Sequence, residues 1–541
     1  MLTYAPSSPV SATETRSEKP WLLFLLCLLW LLPGLIGHDP WKPGENQTAE
    51  IVRQFLLTDR WVIPKIAGMP YLEQAPLYYW IAALLAKPLV WLGMSMHDAA
   101  RLSTGLWMAL AFTGVGFAGY ALHGRRQGRL SVVILLSCVG LLSWGHLATP
   151  AVVALAAFCW QCYALALMPR RPLPAGALLG ACWLVLFIGA SWAECALSLV
   201  MTFALLAFPT WRKPGFALSM AAALVILLPL GVLWPLALSA KMPEVYQAWW
   251  SQAAWGPFST ENGLSLFHAP GFLPSIAAWF AWPALPLAAW SLWSHRRELR
   301  EPRFQLLLLT LVLMVVWLAM AASPGERQAL ILLPVLALIA TPGIDDLRRG
   351  SASAFNWFGI LTFGGLALLL WLGWLVMLLA WPGELAQALR GYSPDFVPTL
   401  AWGALFALVL TAAWISVLLH KRALGRRALV AWACGLTLFW GLLVGLWQGW
   451  LDVSKSYRMV GEGLAAQVPA SACVQMEAID HTRLAALSYF SERDLRLGET
   501  DCEYSLLHGA QATAGAFQGQ LRWIGARSGE KNERFYLYQK R

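Results

Sequence analysis

HDPWKPGENQTAEIVRQF (residues 38–55) and DRWVIPKIAGMPYLEQAPLYYW (59–80) form the first long polar interruption in a very apolar chain. Asp39, Glu45, Glu50, Asp59 and Glu73 alternate there with Lys42, Arg53, Arg60 and Lys65, among many Trp, Tyr and Pro residues. The stretch directly follows WLLFLLCLLWLLPGLIG (21–37), which is just long enough to cross a hydrocarbon core. No small-residue cleavage site follows that segment, and many further apolar runs do, so it reads as a retained first span. Charged and aromatic side chains emerging from a membrane helix suit chemistry at a membrane surface.

Composition agrees. Of 541 residues, 58% are hydrophobic and 13% charged, with 32 Trp, far more apolar side chain than a soluble core requires. The net charge of +10 does not indicate nucleic acid, because Lys and Arg sit in short clusters between apolar runs. Seven of the nine Cys lie inside those runs and read as small packing residues.

Residues 1–20 are polar and read as a cytoplasmic tail. Twelve further spans follow the first, near 100–122, 130–145, 147–168, 174–190, 192–208, 214–239, 269–294, 304–322, 326–341, 355–381, 398–419 and 427–449, giving about thirteen. Arg125, Arg126 and Arg129, then Arg170 and Arg171, Arg212 and Lys213, Arg296 to Arg303, Arg348 and Arg349, and Lys421 to Arg427 fall on one side with Arg16 and Lys19. That asymmetry places the N-terminus in the cytoplasm. Loops 37–98, 240–268 and 382–397, and everything after about Trp450, then face outward.

Within the first loop, Ile51, Val52, Phe55 and Leu56 share one side of a short helix in the interface, with Glu50 on a solvated or salt-bridged face. Residues 77–93 read equally as an interfacial helix or a short span. Beyond Asp452 the composition is that of a soluble domain. ACVQMEAI, CEYSLLH, QLRWIGAR and RFYLYQK read as strands and HTRLAALSYFSE as a helix, a small α/β unit over 451–541. Cys473 and Cys502 lie there, and pairing or free thiols are both open.

Pro43-Gly44-Glu45, Ala49-Glu50-Ile51 with Arg53, Trp61-Val62-Ile63-Pro64, Gly68, Tyr71-Leu72-Glu73 and Pro76-Leu77-Tyr78-Tyr79-Trp80 together resemble the bacterial family 39 and aminoarabinose-transferase-like glycosyltransferases. Agreement around His268–Pro270 and Gly325–Pro334 is weaker. The resemblance implies a GT-C-like α-helical bundle in the bacterial inner membrane, with a small periplasmic α/β domain. It also implies transfer of a sugar from a polyprenyl-phosphate donor to a cell-envelope acceptor, whether lipid, glycan or protein.

That chemistry calls for a carboxylate near the acceptor and cations at the departing phosphate. Glu45 is the first candidate base and Glu73 the second. Arg327 is the candidate for the phosphate, supported by Arg53 or Lys65, with Tyr78, Tyr79 and His268 toward the substrates. The chain departs from the family at several charged positions. Gly44-Glu45 stands where an Asp-Glu pair is usual, so the Asp is lost, Gln74 replaces a Lys after Glu73, and Pro150 or Ala151 replaces an Asp. Near Ala190 and Ser191 a Lys is missing, and Glu194 is the closest charge. These losses leave a catalytically inactive relative, binding a lipid-linked saccharide or a partner enzyme, as the alternative. A transporter is disfavoured because no internal repeat is evident. His146 and His268 alone do not make a metal site. A divalent cation is the one cofactor left open.

Overall fold

A computed structural model describes residues 20–540, apart from 42–43, 59–60, 259–270, 322–323, 394–395, 399–401, 420–423, 477–478, 499–500, 510–518 and 528–532. The chain is a multi-pass membrane protein. Among the described residues, eight helices are long and apolar enough to cross a bilayer: Met96–His123, Pro172–Gly189, Pro214–Lys241, Pro302–Met320, Glu326–Gly343, Arg349–Leu379, Trp402–Leu419 and Gly425–Lys455. Four shorter apolar helices accompany them, Pro20–Leu31, Leu77–Trp91, Ala151–Leu167 and Trp192–Ala207. Residues 77–93, ambiguous in sequence, are thus helical. Of the expected span at 21–37 only residues 21–31 are helical, as part of the 12-residue helix Pro20–Leu31. That is about 18 Å of helix, short of a bilayer core.

Two expected spans are broken, and the breaks fit each other. The run at 269–294 contains helices Phe272–Trp279 and Ala284–Ser294, set at 91°. Pro283, at the junction, has no N–H to continue the ladder. The run at 130–145 is split into Arg125–Leu136 and Val139–Trp144. Val139 N–H donates to the Trp282 carbonyl (3.0 Å) and Gly140 N–H to the Phe280 carbonyl (2.9 Å), so each break satisfies backbone groups that the other frees. Gly140 is required at this crossing, since a Cβ there would lie 2.3 Å from the Phe280 ring.

The first loop holds helix Glu45–Thr58, and a two-residue hairpin pairs Lys65 with Pro70. The sequence places this helix at a solvated interface, but the structure buries it. Glu45, Asn46, Thr48, Glu50, Ile51, Val52 and Phe55 are all enclosed. Helix His481–Ser491 of the C-terminal domain packs over it, a cover that hydrophobic periodicity cannot reveal. Glu50 accepts hydrogen bonds from Arg53 Nε (2.8 Å), Gln54 Nε2 (2.8 Å) and Ser488 Oγ (2.9 Å). Its face is therefore salt-bridged and not solvated.

The C-terminal domain carries a five-stranded sheet in the order Asp494–Leu497, Cys473–Met476, Tyr504–His508, Arg534–Lys540, Gly519–Ala526. The first three strands run parallel and the last two pair antiparallel. Four strands match the segments read from sequence, and Asp494–Leu497 is additional. Val474 pairs with Tyr504, which brings the residues before each strand together, and Cys473 and Cys502 are disulfide-bonded.

This bond closes a loop with a sequence separation of 29. By chain entropy it stabilises the domain by about 3.5 kcal/mol. Alkylation followed by peptide mass analysis should modify Cys473 and Cys502 only after reduction. The double Cys→Ser variant should lower the unfolding free energy of the domain by about that amount.

Candidate active site

The electrostatic centre of the first loop is a sealed ion pair. Arg101, near the start of helix Met96–His123, is 0% exposed, and Glu45 is 1% exposed. Arg101 Nε donates to Glu45 Oε1 at 2.8 Å. The Ala148 N–H reaches the same oxygen at 2.9 Å, and the Trp41 N–H reaches Oε2 at 2.9 Å. Burial alone would push the Glu45 carboxyl up. Arg101, His38 and the Ala148 N–H outweigh that and hold it below the ordinary glutamate range. Both oxygens are engaged and water is excluded, so Glu45 is not placed to take a proton from an acceptor. Its effect is positional, because it holds Ala148 two residues ahead of Pro150.

Asp39 plays a similar part toward the C-terminal domain. It accepts from Ser456 Oγ (2.6 Å) and pairs with Arg458, while Asp452 accepts from the Asp39 N–H and the Trp41 ring N–H (both 2.9 Å). Burial would raise the Asp39 carboxyl, and Arg458 and Ser456 more than reverse it. The loop is thereby fastened at both ends.

A cavity lies on the other side of this framework. Gln74, Pro150, Ala151, Glu194, Arg327 and Gln328 line it, together with Ala154, Ala190 and Ile331. The positions at which the chain departs from the family's charged pattern, Gln74, Pro150, Ala151 and Ala190, are thus gathered around Arg327. Arg327 is half-buried, and its guanidinium has no hydrogen bond or ion pair among the described residues. Its neighbour Glu326 instead accepts from the Trp144 ring N–H (3.2 Å).

The hydroxyls of Tyr71 and Tyr79 feel the charges of both Arg327 and Glu73, although neither tyrosine nor Glu73 is among the residues that line the cavity. Burial pushes the Tyr71 phenol well up, so it stays a neutral donor at neutral pH. Tyr71 Oη donates to Glu73 Oε2 (3.2 Å), and His481 Nδ1 meets Glu73 Oε1 (2.8 Å). The Glu73 side chain is 57% exposed. It is the accessible carboxylate of the two candidates.

The remaining candidates divide. Tyr79 is buried and is not among the residues that line the cavity, and the Tyr78 hydroxyl is buried against Thr104 (2.7 Å). Arg53 is committed to Glu50 and Ser488 and does not reach the cavity. Lys65 sits on the hairpin, with no ion pair among the described residues, and does not line the cavity. His268 lies outside the described residues. Among the described residues no three His, Cys, Asp or Glu side chains cluster as a metal site. His481 escaped sequence reasoning because its partner is 408 residues away, and Arg101, which from sequence could pair with Glu73, is bonded to Glu45 instead.

No family model matches the chain. It is 26% identical over 529 residues to the undecaprenyl phosphate-alpha-4-amino-4-deoxy-L-arabinose arabinosyl transferase of Pseudomonas savastanoi pv. phaseolicola, covering 93% of this chain and 92% of the relative. A similarly named protein of Pseudomonas fluorescens, arabinosyl transferase 2, is 34% identical over 118 residues, 20% of each chain. Among solved structures, ArnT from Cupriavidus metallidurans bound to undecaprenyl phosphate superposes with a TM-score of 0.68 at 17% identity, covering 96% of this chain and 97% of that one. Its apo form gives 0.66. The resemblance seen in residues 43–80 therefore extends along nearly the whole chain, and the fold is GT-C-like with a small C-terminal sheet domain.

Removing one partner of the buried pair strands the other charge. Arg101→Met should destabilise the protein by about 3–5 kcal/mol, with Glu45→Gln milder because its hydrogen-bonding shape survives. The folded value of Glu45 is depressed, so its contribution is complete above the ordinary value of 4.5 and is lost as pH falls through the lower folded value. Thermal unfolding in detergent should accordingly lose its acid-side Glu45 component in Glu45→Gln.

Proposed function

We propose that the chain is a membrane glycosyltransferase of the bacterial inner membrane that moves a sugar from a polyprenyl-phosphate donor to a periplasmic acceptor. The observation that carries this reading is Arg327, a guanidinium without a protein partner that faces a cavity in a GT-C-like bundle. A planar guanidinium matches a phosphate and would hold the charge that develops on it. The similarity to arabinosyl transferases along 93% of the chain supports an undecaprenyl-phosphate-linked amino sugar as donor and an envelope lipid such as lipid A, or a glycan, as acceptor.

In this reading residues 1–20 are cytoplasmic, 21–450 form the transferring module, and 451–541 lie in the periplasm. The one-sided distribution of Lys and Arg supports that orientation. An acceptor hydroxyl attacks the anomeric carbon, and the carbon–oxygen bond to the phosphate breaks. The bonding pair leaves on the phosphate oxygen, beside Arg327. The acceptor proton passes to the Glu73 carboxylate, which Tyr71 and His481 hold in place. Because Glu45 is sealed, Glu73 takes the role for which the sequence put Glu45 first.

One observation favours the second reading, a non-catalytic binder. Apart from Arg327 and Glu194, the cavity is lined by uncharged side chains.

Two variants separate the readings. Arg327→Ala should weaken binding of undecaprenyl phosphate by the purified protein roughly 10- to 150-fold, the value of a charge-assisted hydrogen bond. Unchanged binding would remove the phosphate site. Glu73→Gln should lower the transfer rate about 10²- to 10⁴-fold with undecaprenyl phosphate binding retained. A wild-type protein that binds the lipid and turns over no sugar-bearing donor or acceptor would be the binder.

A further inference from the structure

Glu194 has no part in the reaction sketched above, yet among the described residues it is the carboxylate that lines the cavity. It lies in the first turn of helix Trp192–Ala204, where its backbone N–H donates to Ser191 Oγ (3.3 Å). The residue is 6% exposed, and its Oε2 is fully buried with no hydrogen-bond partner among the described residues. The chain closes over it at Gly256 (φ +55°), where an added Cβ would stand 3.0 Å from Ser191 Oγ and 3.8 Å from Glu194 Oε2. The side chain lines the same cavity as Arg327.

A buried carboxylate oxygen without a donor is costly, and such a group in a native site calls for an explanation. Arg327 does not supply one, because no ion pair within 4 Å joins the two. The space they share is about 20 Å³, close to the least that holds one water. A phosphate settling on Arg327 alone would leave that oxygen without a donor, whereas a ligand that also offers an N–H or O–H to Oε2 satisfies it.

We propose that Glu194 is a selectivity residue, which takes a hydrogen-bond-donating substituent on the sugar of the donor lipid while Arg327 holds the phosphate. The substituent is a hydroxyl or a protonated amine. This assignment rests on the glycosyltransferase reading and adds to it the feature by which a sugar-bearing donor is told from the bare lipid phosphate. Of the other lining residues, Pro150, Ala151, Ala154, Ala190 and Ile331 carry no side-chain donor, and the amides of Gln74 and Gln328 are not hydrogen-bonded to Oε2.

The test compares two affinities in one protein. Undecaprenyl phosphate, and undecaprenyl phosphate carrying either an amino sugar or a sugar with hydroxyls only, are titrated against wild type, Glu194→Gln, Glu194→Ala and Glu194→Asp in detergent. The quantity read is the ratio of sugar-bearing to bare-lipid affinity, so a smaller folded fraction in any variant cancels. Each variant is expected to lower that ratio at least tenfold, with Gln and Ala binding the bare lipid as well as wild type or better. A larger fall for the amino sugar identifies an ammonium, and an equal fall identifies a hydroxyl. An unchanged ratio, or a parallel loss of both ligands, overturns the assignment. Failure of wild type to bind undecaprenyl phosphate overturns the glycosyltransferase reading and this inference with it, an outcome separate from any change in ratio.

Discussion

A guanidinium removed from water must place its N–H groups on protein acceptors, and Arg101 does this with groups from three separate parts of the chain. It reaches Glu45 and Asp98 through their carboxylates, and the carbonyls of Leu35, His38 and Asp39 at 3.2–3.4 Å. The end of the first span, the entry to the first loop and the start of the Met96–His123 helix are thereby fixed to one point. Glu45 extends the same connection to Ala148, and Thr48 Oγ1 adds a second bond to the Ala148 carbonyl (2.6 Å). The turn that carries Pro150 and Ala151 into the cavity wall is thus positioned by a charge pair that never faces the cavity.

Around that fixed point, the charged groups separate by role. Paired charges, Glu45 with Arg101, Glu50 with Arg53, and Asp39 with Arg458, hold the first loop beneath the C-terminal domain. Among the described residues, the charged groups that line the cavity, Arg327 and Glu194, keep capacity, as does the exposed Glu73. Such a division is what a binding site needs, because a group already satisfied by protein gains little from a ligand. The C-terminal domain also contributes His481 to Glu73, so its sheet, fastened by a disulfide, bears on the site through one helix.

Broken helices complete the frame. The crossing of 136–140 with 280–284 places interrupted backbone deep in the bundle, and it is tolerated because the two interruptions bond to each other. The Trp432 ring N–H adds a bond to the Ser137 carbonyl (3.1 Å) at the same crossing.

Much of this was legible in the residues themselves. Runs of apolar side chains announce a membrane bundle because lipid accepts little else, and the shift to alternating patterns after Asp452 announces a sheet domain because strands present successive side chains to opposite faces. Motif residues 43–80 pointed to the resemblance to arabinosyl transferases that extends along the chain, and Arg327 was singled out from its loop. Which charges are occupied was not legible. Glu45 and Glu73 look alike as letters, and only the arrival of Arg101 and Ala148 on one, and open space beside the other, tells them apart. Glu194 was noticed as a nearby charge and nothing more, since its isolation depends on Ser191, Gly256 and Arg327 closing around it. The sequence by itself determined the apolar bundle and the terminal sheet domain, because those follow from local pattern. The tertiary structure alone decided which ionisable groups are satisfied and which are left for a ligand, because pairing and burial are properties of residues far apart in the chain.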